Sequence, residues 1–267
     1  MQGSGCRHYS QHYKTKSAKR KGYLDGFLKI SSLVFSVLMT LVFAALMSGG
    51  FMLRTGDVSQ GVTVEARDYY AISFGSYSTV QQAEKAARQL RARGGGGYIQ
   101  KSGGSYKVFA ALYLNKADAQ TVCHKIKEGG SDCAVQKIEV PAFKFRYEAD
   151  KISAHKLGDI LEFINFCIEG LYAVFVELDS RMINELDAQV RIEGLKNEAI
   201  RLKGELDSLP GQSSHQLIRL KAEFVSLQIN LGAISENSLL SENTSVEVKY
   251  FMLKIAFSYQ SFANEIK

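Results

Sequence analysis

A chain of 267 residues with 33 Lys and Arg against 27 Asp and Glu carries a formal charge of +6 and a pI near 9.0. Arg7, Lys14, Lys16, Lys19, Arg20, Lys21 and Lys29, set against the single acid Asp25, supply that whole excess, so everything after residue 29 is neutral. The basic pI is therefore local and gives the folded part no nucleic-acid footprint, and four cysteines without a CxxC pair exclude a zinc scaffold of the finger type.

Residues 1–28 read as a basic tail. The segment 29–53 contains 24 uncharged positions, Ile30–Leu53, between Lys29 and Arg54. At ~1.5 Å per residue it reaches roughly 36 Å, enough for a hydrocarbon core of about 30 Å. A secretory h-region is about 7–15 residues, so the stretch reads as an uncleaved transmembrane helix. Positive charge on its N-terminal flank sets the tail in the cytoplasm and everything from Arg54 outward, a single-pass topology in the cytoplasmic membrane. Residues 54–67, rich in Gly, Thr and Val, read as a short linker.

An internal repeat follows. Shifting the sequence by 36 positions lays Tyr70 on Tyr106, Tyr77 on Tyr113, Ala83 on Ala119, Gly94 on Gly130, and Gln100-Lys101 on Gln136-Lys137. Two units are too few for a solenoid and enough for one pseudo-symmetric domain. Each unit reads strand, helix, strand. Tyr70–Phe74 alternates large apolar groups in strand fashion; Ser78 or Thr79 suits a helix cap; and Ala83, Ala86, Ala87 and Leu90 share one helical face, as do Ala119, Val122, Cys123 and Ile126. Gly94–Gly97 and Gly129-Gly130 stop the helices, and Ser102–Ser105 suits a tight hairpin. The sum is a β-α-β-β-α-β unit, the ferredoxin-like arrangement of an α+β fold. One sheet face takes the helices through Ile72, Phe74, Val108 and Ala110. The other, carrying Ala71, Ser73, Lys107 and Phe109, is left open as a platform.

The stretch Tyr70–Ser78 (YAISFGSYS), followed by the repeat-initial Tyr106-Lys107-Val108, resembles the SPOR domain, the sporulation-related repeat, over residues 68–140. Ala111 and Ser73 depart from the residues common in that family, and the chain has no Trp. The resemblance implies peptidoglycan as partner, above all glycan strands stripped of stem peptides, held on the open sheet face without bond making or breaking. It implies a process such as cell division or sporulation in a bacterial cell envelope. The expected binding face is Ser73, Tyr98, Gln100, Lys107, Phe109 and Gln136. Ser73, Lys107 and Phe109 come from strand alignment with the family, and Tyr98, Gln100 and Gln136 from alternation in the outer strands. Packing of Tyr98 and Phe109 against the C-terminal region is the alternative, in which case the platform is covered.

Residues 141–267 read as a helical hairpin or bundle. Leu157, Leu161, Ile164, Ile168, Leu171, Phe175, Leu178 and Met182 advance in steps of 4 and 3, a helix seam of coiled-coil period. Asp207–Gln212 breaks the pattern, and Leu217, Leu220, Phe224, Leu227, Leu231 and Ile234 resume it. A last helix runs from about Val246 to Ile266 with Tyr250, Leu253, Phe257 and Phe262. Glu162, Glu169 and Glu177 argue against a second membrane span. The seams close either within the chain or against a partner or second copy, so an envelope assembly protein, with the repeat domain as spacer, is the alternative function.

No catalytic residues, metal ligands or cofactor motif emerge. The Gly94–Gly97 run sits between a helix and a strand, whereas a phosphate cradle needs the reverse order. An RNA-binding sheet would carry an RNP1-type run on Tyr106–Ala110, and this strand has none. Cys123 lies on the inward helix face and Cys133 before the last strand; the reading is two free thiols, with a disulfide as the alternative.

Overall fold

The computed structural model describes residues 61–146, 151–209, 214–240 and 243–267. The basic tail, the span at 29–53 and the first part of the linker lie outside the described residues. Among those described, no helix is long and apolar enough to cross a membrane.

The repeat unit is built as its pattern implies. Strand β2 (Arg67–Tyr77) leads to helix α1 (Val80–Arg91), β3 (Tyr98–Ser102), β4 (Ser105–Tyr113), α2 (Lys116–Glu128) and β5 (Ala134–Val140). The sheet order is β3-β4-β2-β5, every neighbouring pair antiparallel. That places β4 between the two strands joined by α1, the split crossover of a ferredoxin-like sheet. Thr79 caps α1 by accepting from Gln82 N, and Asn115 caps α2 by accepting from Asp118 N. Gly103 and Gly104 both take positive φ, 54° and 81°, the conformation a two-residue hairpin between twisted strands requires. Ala83, Ala87, Ala119 and Cys123 are buried, and such small side chains let both helices sit close on one sheet face.

Two features depart from the expectations. The end of the supposed linker is a strand: β1 (Val62–Val64) pairs antiparallel with β6 (Phe143–Phe145), so Val62, Val64, Phe143 and Phe145 are core. Alternation over so short a stretch is a weak signal without its partner. Second, Cys123 and Cys133 are joined in a disulfide, with Cα atoms 6.0 Å apart, rather than standing as free thiols. Both are buried where the end of α2 meets the start of β5; a spacing of 10 residues could not reveal that the turn folds back.

Four helices complete the chain: α3 (Lys151–Asp179), α4 (Glu185–Ser208), α5 (His215–Leu240) and α6 (Thr244–Ile266). Each packs on the next, and α6 closes back on α3, so the seams are satisfied within one chain. Leu157, Leu161, Ile164, Ile168, Leu171 and Phe175 are buried, as is the whole α5 seam from Leu217 to Ile234. The first seam does not continue through Met182, which is 62% exposed. The chain turns at Arg181 (φ 57°), and Asn184 and Asp187 form a capping box that restarts the helix as α4.

The bundle and the repeat unit share one core. Helix α6 is buried on nearly every side, with one face in the bundle and the other on β3, β4, β5 and β6. The Gly94–Gly97 run makes this approach feasible. A Cβ on Gly96 would stand 2.7 Å from Tyr250 N and 2.9 Å from Lys249 C, so only glycine fits there. Polar bonds pin the same contact. Lys249 Nζ donates to Gly94 O (2.9 Å) and pairs with Asp179 (2.6 Å), while Arg91 pairs with Glu247. On the other flank Tyr69 OH donates to Asn165 Oδ1 of α3 at 2.8 Å.

Candidate functional site

Strand register decides what the sheet offers on the face away from α1 and α2. Tyr98 lies opposite Phe109, Gln100 opposite Lys107, Ser73 opposite both Phe109 and Ala134, and Gln136 opposite Ala71. Directly paired residues point to the same side. All six expected residues therefore share one face, but that face is divided in two.

The aromatic half is covered. Phe109 has no exposed surface and packs against Phe257 of α6, ring centroids 5.1 Å apart. Tyr98 stacks on the same ring at 5.5 Å and 16° and meets Tyr250 edge-on at 5.7 Å. Burial, and then Tyr250, push its phenol up to about 12. Phe109 is thus corrected from a binding residue to a core residue, because an apolar ring on a four-stranded sheet gains more by burial under α6 than by facing water. Tyr98 keeps a half-buried edge at the boundary, its hydroxyl 3.1 Å from Gln100 Oε1.

The polar half stays accessible. Ser73, Gln100, Lys107 and Gln136 are all half-buried, and they form a row across the four strands. Lys107 Nζ reaches over β2 to donate to Gln136 Oε1 at 3.1 Å, tying β4 to β5 above the small side chains of Ala71 and Ser73. Ser73 Oγ donates to Ala134 O at 3.2 Å. No carboxylate among the described residues pairs with Lys107. The row spans three strand spacings, roughly 14 Å. It offers an ammonium, two amides and a hydroxyl, each with further donor or acceptor capacity. Such an array can hold hydroxyl, amide and carboxylate groups of a ligand by hydrogen bonds, and it contains no nucleophile paired with a base.

The cover is the alternative the sequence left open, packing of Tyr98 and Phe109 against the C-terminal region, and not the open platform expected first. Its signal was Val246, Val248, Phe251, Met252, Leu253, Ile255, Ala256, Phe257, Tyr259 and Phe262, apolar on all sides rather than along one stripe. A helix of that kind is buried all round, and the sheet is the surface available to bury its second face.

Three comparisons with known proteins bear on this unit. A search of curated proteins finds no match. Among solved structures, the chain is similar to the solution structure of the peptidoglycan binding domain of the B. subtilis cell wall lytic enzyme CwlC, at 23% identity, covering 28% of this chain and 94% of that one, with a TM-score of 0.25. The family model described as SPOR domain matches residues 66–137, the segment whose βαββαβ topology is given above. Residues 66–137 of this chain are a SPOR domain.

Proposed function

We propose that this protein binds peptidoglycan, without enzymatic activity, through the uncovered polar half of its SPOR sheet, while an N-terminal helix holds it in the cytoplasmic membrane. The observation that carries the reading is the row Ser73, Gln100, Lys107 and Gln136, half-buried but accessible on the platform face of a SPOR domain and bridged by the Lys107–Gln136 hydrogen bond. A glycan strand laid across the row meets amide and hydroxyl partners, and an unpaired ammonium for the free carboxylate of a stripped muramic-type sugar. Ring stacking contributes only at the free edge of Tyr98. The uncharged stretch 30–53 behind a basic tail supports a single-pass anchor with the folded part outside, and the Cys123–Cys133 disulfide fits an oxidising compartment. Cell division or sporulation is the setting the family implies.

The test is co-sedimentation of residues 61–267 with purified sacculi, half of them treated with an amidase. The whole segment is needed because α6 is part of the sheet's core. Binding that rises after stripping and falls for Lys107→Ala supports the reading; no sedimentation with either preparation overturns it. A second reading, an envelope assembly protein, is favoured by the apolar line that α5 presents to solvent.

A further inference from the structure

Helix α6 crosses the strands of the sheet, and its contacts fix which of its flanks faces which end. Lys249 Nζ donates to Gly94 O, just before β3, and Gln260 Nε2 donates to Glu139 O, near the end of β5. Antiparallel pairing throughout brings the start of β3 and the end of β5 to the same end of the sheet. Next round the helix come Tyr250 and Phe257, which lie on Tyr98 and Phe109. Beyond them, about 100–140° from the Lys249–Gln260 flank, come Lys254 and Ser261. With the sheet contact between the two flanks, Lys254 and Ser261 face the opposite end of the strands. Gln100 and Lys107 lie in that direction, two residues from Tyr98 and Phe109.

This flank keeps free polar groups. At its outer edge Ser258 is bonded to Glu223 and Glu265 to Arg219, whereas Ser261 is exposed and Lys254 half-buried. Among the described residues no carboxylate pairs with Lys254. Its ammonium rests over the Phe251 ring, 5.6 Å from the centroid, a contact that at an accessible site is weak enough for an anion to displace. Lys254 precedes Ser261 by two turns, about 10 Å. Phe257 lies over β3 and β4, and Gln260 reaches β5. Lys254 therefore stands at the end of the polar row that holds Lys107, and Ser261 at the end that holds Gln136.

We propose, building on the glycan reading above, that α6 forms one wall of the binding groove and that Lys254 on the wall and Lys107 on the floor hold a single carboxylate of the strand between them. Two ammonium groups at one end of a groove favour an anion there. Ser261 and Gln136 take neutral hydroxyl or amide groups at the other end. The ligand class is a polyhydroxylated chain bearing a carboxylate, laid parallel to α6 and across the strands. The C-terminal bundle is then part of the site, and Lys254 helps to set its preference for strands whose carboxylates are free of peptide.

Isothermal titration of residues 61–267 with soluble glycan from amidase-treated sacculi tests this, once with the carboxylates intact and once with them converted to amides. With intact carboxylates, Lys254→Gln should weaken binding about tenfold, the loss of one charge-assisted hydrogen bond. Lys254→Arg, which keeps the charge, should bind like wild type. Lys144→Gln, an exposed position in the separate β1–β6 pair, should change little and controls for net charge. With the amidated glycan, wild type and Lys254→Gln should bind alike. If Lys107→Ala loses binding while Lys254→Gln loses no more than Lys144→Gln, the wall is overturned and the proposed function stands. If wild type does not bind the intact glycan, both are overturned.

Discussion

Replacing Phe109 by alanine separates two pictures of the sheet. Phe109 is fully buried, ring to ring with Phe257 at 5.1 Å and opposite Tyr98, which stacks on the same Phe257. Truncating such a phenylalanine costs about 3–5 kcal/mol, from lost transfer energy and the cavity left under α6, with the ring pairs accounting for roughly 1 kcal/mol of it. Domains of this kind have about 5–15 kcal/mol in all, so the loss is large. Urea unfolding of residues 61–267 followed by circular dichroism reads it as a lower midpoint, with binding to stripped glycan measured where the variant is still folded. The expected outcome is a stability loss of that size with binding per folded molecule retained. Phe257→Ala should show a similar loss, and the double variant should lose less than the two singles together, by about 0.5–3 kcal/mol. A cost below about 1 kcal/mol with glycan binding abolished would refute the covered platform, since that is how an exposed sugar-stacking ring behaves.

Further outcomes follow from other contacts. Removing the Cys123–Cys133 bridge, by reduction or by Cys→Ala at both positions, should cost about 2–3 kcal/mol for a loop closed across a sequence separation of 10, read as a lower melting temperature in reductant. Gly96→Ala would press a methyl onto Tyr250 N and Lys249 C and should destabilise by about 1–3 kcal/mol, whereas Gly104→Ala, with open space around it but positive φ, should cost less. Burial raises the carboxyl of Glu223, which Ser258 hydrogen-bonds at 2.7 Å and Arg219 and Glu265 neighbour. Here the folded state holds the proton more tightly than the unfolded chain. The stabilising contribution is full below the ordinary glutamate value of 4.5 and is lost as pH rises through the raised one. Unfolding free energy measured against pH should therefore fall more steeply across that window in wild type than in Glu223→Gln.

How far the chain could be read from its residues depended on whether the signal was local. The SPOR unit was legible because each part signals itself: Ser78-Thr79 before the first helix, Gly103-Gly104 at the hairpin, small alanines on the inward faces, and a 36-residue repeat that doubles the strand and helix clues. The α5 seam was legible for the same reason. What escaped depends on distant partners. Val62–Val64 becomes a strand only because Phe143–Phe145 pairs with it. Phe109 alternates with Lys107 and Val108 as an open-face residue should, and nothing within β4 indicates that a ring some 150 positions later lies over it. The restart at Asn184 was a missed local signal, an Asn followed three residues on by Asp, masked by apolar residues whose spacing ran through the break.

The central claim is that glycan binds the polar half of the SPOR sheet and not the half under α6. Backbone amide chemical shifts of residues 61–267, titrated with soluble glycan from amidase-treated sacculi, test it most directly. The account predicts saturable shifts centred on Ser73, Gln100, Lys107 and Gln136, weaker ones at Tyr98, and none at Phe257. Shifts that begin at Phe257 and Phe109, with loss of the α6 contacts, would show that the ligand displaces the helix, and an unperturbed sheet would show that it binds elsewhere or not at all; either result contradicts the account.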